Sequence, residues 1–139
     1  MTYEEKGAWV YGLVSLAVWA GYVAVVLQRS DGGPLTEVRY VPVLLWTIGI
    51  SVLLNVVVRV LVEIVRPSDT QRADVRDREI DRRGEYVGGA VLAIAMVLPL
   101  GLTLAEVDHF WIANAMYLAY VLGALVASVV KVVVYRRGF

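Results

Sequence analysis

Long apolar runs alternate with short polar intervals along this chain, and one interval differs from the rest. Residues 7–27, 40–65, 86–105 and 111–134 are nearly free of charge. At about 1.5 Å of rise per residue, a helix of about 20 apolar residues crosses the hydrocarbon core of a bilayer. The pattern therefore predicts an all-α, four-helix transmembrane bundle built of two helical hairpins, a single integral-membrane domain over residues 1–139. Between the hairpins lies a charged segment, 66–85, with six arginines and six acids. It predicts an interfacial helix leading into the third span.

Inside the runs, polar positions follow helical spacing. The second span carries Thr47, Ser51, Asn55, Arg59 and Glu63, each four residues after the last. Four residues advance a helix by about 400°, so successive members lie about 40° apart on a slowly winding stripe. Arg59 and Glu63 stand at i, i+4 and are expected to pair, in the weaker base-first order. A charge inside a span is costly unless paired or wet, which makes Ser51, Asn55, Arg59 and Glu63 the candidate functional stripe. The plainer reading, favoured because the pair sits near a span end, is an ion pair pinning that end. Small residues recur at the same spacing: Ala8 and Gly12, Ala17 and Gly21, Ala20 and Ala24 in the first span, Ala115, Ala119, Gly123 and Ala127 in the fourth. They predict close helix approach, mostly within the bundle. Tyr117 and Tyr120 are expected to turn their hydroxyls toward partners inside it. Pro99 predicts a kink or early end in the third span.

In the charged segment, Ser68 and Gln71 fit a capping box, with a helix from about Thr70. A wheel at 100° per residue places Asp74, Asp77, Asp81 and Glu85 on one face and Arg72, Arg76 and Arg83 opposite. Ala73, Ile80, Gly84 and Val87 form a narrow apolar strip between them. Three readings stay open. One is a solvated interfacial helix, the usual fate of mixed charge. The second is a docking helix that pairs with its own copy or with the ends of the second and fourth spans. The third, carrying the least weight, is a divalent-cation site on the acidic face. Asp77, Arg78, Asp81 and Arg82 are the candidate interaction face.

Composition narrows the function classes. With 59% hydrophobic residues there is no room for a separate soluble domain. The absence of cysteine removes disulfides, thiolate metal sites and thiol chemistry. The lone histidine, His109, sits in a turn with Glu106 and Asp108, more often a solvated turn than a metal site. The start, MTYEEKG, lacks the basic region of a signal peptide and reads as the lead-in to an uncleaved first helix. If both termini and the charged segment share one side, that side holds 11 of the 13 lysines and arginines, all but Arg29 and Arg39. The positive-inside rule then places both termini in the cytoplasm, in the cytoplasmic (inner) membrane.

The hairpins resemble one another. Lys6-Gly7-Ala8-Trp9-Val10-Tyr11-Gly12 aligns with Arg83-Gly84-Glu85-Tyr86-Val87-Gly88-Gly89 at an offset of 77, and Arg59 aligns with Lys131 at an offset of 72. A parallel internal repeat is expected, with Arg59 and Lys131 at matching depth.

Residues Asp74-Val75-Arg76-Asp77-Arg78-Glu79-Ile80-Asp81-Arg82-Arg83-Gly84 resemble the charged motif that enters a transmembrane helix in small bacterial and archaeal four-span membrane proteins such as the DUF2178 family. That family usually has Glu where this chain has Val75. The resemblance covers about a dozen residues and the layout; it implies the fold and no activity.

For function, the leading expectation is a non-enzymatic scaffold or interaction protein, homodimeric or accessory to another membrane protein, with a dry bundle and no polar cavity. The alternative is a small oligomeric transporter or channel using the stripe, which requires a cavity reaching past Asn55. No nucleophile–base constellation is visible, so an enzyme ranks last. No cofactor and no nucleic-acid partner are expected; the bilayer and self-association are.

Overall fold

A computed structural model describes residues 1–69 and 72–138. Helix α1, Tyr3–Ser30, starts four residues before the apolar run because Thr2 caps it: its hydroxyl accepts the Glu5 N–H at 3.1 Å, with Glu4 and Glu5 in the first turn. It ends where Asp31 and Gly32 take positive φ, 45° and 75°. A short 3-10 turn, Leu35–Glu37, leads into α2, Tyr40–Val65.

Glu63 closes the far end of α2. Its carboxylate accepts the Ser68 N–H at 2.8 Å and the Ser68 hydroxyl at 2.7 Å, holding the turn that Pro67 begins. The expected Ser68–Gln71 box, and the helix start at about Thr70, fall on Thr70 and Gln71, which lie outside the described residues. The capping box that forms is Asp74 with Asp77: each carboxylate accepts the other's N–H, at 2.8 and 3.0 Å. It starts α3, Val75–Ala95, which runs unbroken from the charged segment into the third span. The helix breaks at Met96 and resumes as α4, Val97–Leu104. The break lies just upstream of Pro99, whose ring clashes with the turn before it and has no N–H for the Ala95 carbonyl. After a turn, α5, His109–Arg137, completes the four-helix bundle.

The four long helices pack in the order α2, α1, α5, α3, with α4 also on α5, and α2 and α3 do not pack against each other along their length. One side of the bundle is therefore an open seam. Backbones approach most closely at α3–α5. An added Cβ at Gly88 would stand 2.7 Å from both the Gly123 carbonyl oxygen and the Ala127 Cβ. In α1, only the Ala8 and Gly12 pair is buried, with Gly12 against Ser128; Ala17, Ala20, Gly21 and Ala24 are exposed, so those pairs are not buried at a helix crossing. Small residues permit a close approach but do not select which face takes it.

The two ends differ. At one, Tyr22, Val26, Val38 and Phe110 form a core cluster backed by Tyr40, Leu44 and Tyr117. The Tyr22 hydroxyl donates to Asn114 Oδ1 at 2.7 Å, and Tyr117 meets the Tyr22 ring edge-on. At the other end, polar contacts tie the start of α1 to the ends of α5 and α2 and the end of α5 to the charged segment: Glu5 pairs with Arg136, Lys6 pairs with Glu63, and the Tyr135 hydroxyl donates to Asp77 at 2.7 Å.

Candidate functional site

The open seam between α2 and α3 is the mouth of a groove floored by α1 and α5. Its charged part, about 320 Å³, is lined by Glu4, Gly7, Tyr11, Asn55, Val56, Arg59, Asp81, Glu85, Ser128 and Lys131. Beyond Asn55 the groove continues along Tyr11, Ser15, Ser51, Val52, Tyr117 and Tyr120, with a volume of about 410 Å³. Tyr117, on the far stretch of the groove, also packs against the core cluster at the opposite end.

Three of the four stripe residues, Ser51, Asn55 and Arg59, line this groove, and Glu63 does not. The winding of the stripe explains the split: from Asn55 to Glu63 it turns about 80°, away from the seam and toward the start of α1. The expected Arg59–Glu63 pair is absent. Arg59 Nη2 stands 3.7 Å from Glu4 Oε1, and its guanidinium lies 4.2 Å from the centre of the Tyr3 ring. Glu63 is taken by Lys6 and Ser68. Lys6, buried on α1, donates to Glu63 at 3.4 Å, to Ser68 Oγ at 3.0 Å and to the Arg66 carbonyl. One ammonium thus gathers an acid, a hydroxyl and an end-of-helix carbonyl. A pairing along α2 would satisfy none of the last two.

Higher on α2 the stripe is satisfied locally. Thr47 donates to the Val43 carbonyl at 2.7 Å and Asn55 to the Ser51 carbonyl at 2.9 Å. These bonds run along α2 and not across the bundle. Among the described residues, two buried side-chain polar atoms have no hydrogen-bond partner, Arg59 Nε and Ser128 Oγ, and both belong to residues of this groove.

The repeat is visible in the ion pairs. Arg59 lies across Gly7, where an added Cβ would stand 2.9 Å from its Cζ; Lys131 lies across Gly84, where one would stand 2.4 Å from its Cγ. Arg59 faces Glu4, and Lys131 meets Asp81 at 2.7 Å. Gly7 with Gly84 and Glu4 with Asp81 are partners at the same offset of 77. Both cations line one groove. The copies then diverge: Lys131 gains a second carboxylate, Glu85 at 2.6 Å, where the first hairpin has Ala8.

The candidate interaction face divides in two. Asp77 is buried under Tyr135 and Asp81 is bonded to Lys131, while Arg78 and Arg82 are exposed. Ile80 is fully buried and Gly84 is buried on the strip between. The acidic face thus docks on the end of α5, one of the two surfaces the docking reading named, and the segment is not simply solvated. Among the described residues no three of His, Asp and Glu stand together as a metal site. Sequence reasoning missed Lys6, Tyr3, Tyr22 and Ser128. Lys6 and Tyr3 looked like parts of a short polar tail, and Ser128 was hidden in a small-residue seam. Tyr22, and not Tyr120, makes the bond across the bundle, while Tyr120 lies exposed at the groove.

No protein-family model, curated protein or solved structure matches this chain. The fold itself supports a class: four helices among the described residues are long and apolar enough to span a bilayer, which makes this, by length and composition, a multi-pass membrane protein.

Proposed function

We propose that this membrane protein works through the groove, taking up a polar or amphipathic small molecule from the charged end as a small transporter. The observation that carries this reading is the groove's extent: it passes Asn55 and reaches Ser51, and the Asn55 amide of the stripe bonds back along α2 and not to another helix. A dry scaffold has no need of such a stripe, and polar groups inside a span are costly unless something wet or polar meets them. The core cluster packed at the far end suits a carrier open to one side at a time better than a channel.

A scaffold or accessory role is the second reading, and the open seam favours it. Val56, at the rim of the groove, is exposed and Gly89 faces open space, so either the bilayer or a partner covers them.

The chain has no cysteine, so single-cysteine variants give an unambiguous test. Asn55→Cys and Ser51→Cys, in phosphatidylcholine vesicles, are expected to react with a water-soluble, membrane-impermeant thiol reagent. Leu53→Cys, on the exposed apolar face outside the groove, is expected to stay unlabelled. Silence at all three positions sinks the transport reading and leaves the interaction one.

A further inference from the structure

The mouth of the groove carries both signs of charge. Two cations, Arg59 and Lys131, stand among three carboxylates, Glu4, Asp81 and Glu85. A simple anion entering here meets an excess of negative charge. A simple cation must sit beside two fixed cations. A molecule with one charge of each sign meets neither penalty, provided its anionic part lies at Arg59 and its cationic part at Asp81 and Glu85.

The side chains have the free capacity for this. Arg59 is held loosely, 3.7 Å from Glu4, and its Nε has no partner. Asp81 and Glu85 each give one oxygen to Lys131, yet their side chains remain 62% and 64% exposed. A carboxylate has about four acceptor sites, so each retains room for another N–H donor. Ser128 is 5% exposed and its hydroxyl is unpartnered on the same wall.

The shape of the groove specifies the rest of the molecule. Charged groups occupy one end only. Farther along, the lining adds Ile48 and Val52 from α2 and Val121 from α5, with no residue of α3, and because α2 and α3 do not pack against each other the groove is open sideways between them. A water-soluble zwitterion does not need that side opening. A lipid does, because its chains must stay in the bilayer while its head enters.

We infer that the groove binds a phospholipid with a phosphoethanolamine head, entering through the α2–α3 seam. The phosphate lies at Arg59, and the primary ammonium donates to Asp81 and Glu85. This deepens the groove reading and selects among lipids. Phosphocholine carries the same charges but has no N–H to donate, and phosphoglycerol brings an anion without a cation.

The test is native mass spectrometry of the chain released from nanodiscs of equimolar phosphatidylethanolamine, phosphatidylcholine and phosphatidylglycerol. Wild type is expected to retain phosphatidylethanolamine several-fold over the other two. Asp81→Asn with Glu85→Gln is expected to shift retention toward phosphatidylglycerol, and Arg59→Gln to reduce retention of every lipid. Equal retention of the three lipids by wild type, or a preference for phosphatidylglycerol, overturns the inference whether or not the variants fold. The two claims fail separately. Labelling at Asn55→Cys with no lipid preference removes the lipid inference alone. A phosphatidylethanolamine preference without labelling removes the transport reading and leaves a structural lipid.

Discussion

Tyr22 and Asn114 show what one hydrogen bond does inside this bundle. The Tyr22 hydroxyl is buried and donates to Asn114 Oδ1, while Asn114 Nδ2 returns to the Phe110 carbonyl. The pair ties α1 to α5 at the end that holds the core cluster. Interhelical hydrogen bonds in membranes are worth about 0.6 kcal/mol on average and up to about 1.7. Tyr22→Phe is expected to cost about 1 kcal/mol in a detergent unfolding titration, because Asn114 then keeps a carbonyl without a donor. Arg59 is a different kind of residue. Its contacts are a long ion pair and a ring face, at a site open to solvent. Arg59→Gln is therefore expected to leave the unfolding midpoint nearly unchanged, and a large loss of stability would show that Arg59 is a structural strut and not a site residue.

At the scale of elements, α3 depends on its fit to α5. Gly84 and Gly88 let the backbones approach, and Ile80 seals the strip above them with no exposed surface. Gly88→Ala places a methyl 2.7 Å from a carbonyl oxygen and another Cβ, so the helices must separate. Overpacking of this kind costs about 1–3 kcal/mol, to be read from the same titration. Gly89→Ala, one position along and facing open space, is expected to be neutral. Helix propensity favours Ala at both positions, so a matching loss at both would mean that the close α3–α5 crossing does not set the cost. Asp74→Ala removes half of the capping box and is expected to cost about 1 kcal/mol while fraying the start of α3, visible as faster amide exchange from Val75 to Arg78.

For the whole molecule the open seam is the defining feature, and crosslinking reads it directly. Gly12→Cys with Ser128→Cys joins helices in contact, and once the 2.9 Å between the two Cβ positions widens to about 3.8 Å, as a disulfide requires, a disulfide within the chain is expected. Val56→Cys with Gly89→Cys occupies the repeat-equivalent positions on α2 and α3, which do not pack, and is expected to form none within the chain. A strong crosslink within the chain at the second pair would mean that the bundle closes and the groove is internal. A crosslink between chains there would make a second copy the cover of the seam.

The sequence by itself determined the four helices, the hairpin arrangement, the interruption before Pro99 and the alignment of Arg59 with Lys131. All of these follow from runs of apolar residues, a missing N–H or local similarity, which neighbouring residues carry with them. It also placed Ser51, Asn55 and Arg59 on one face of α2, since helical spacing is fixed by backbone geometry. Only the tertiary structure decided what that face meets. Ion pairs in this chain join residues far apart in sequence, Lys6 with Glu63, Arg59 with Glu4 and Glu5 with Arg136. An i, i+4 rule sees Glu63 as the partner of Arg59 because it sees one helix. The bundle brings the first turn of α1 against the last turns of α2, and the acids and amine there have better geometry. The same holds for the seam. Small residues mark where helices are able to approach, but the order α2, α1, α5, α3, which leaves a groove between the first and last, arises from the whole set of packing contacts.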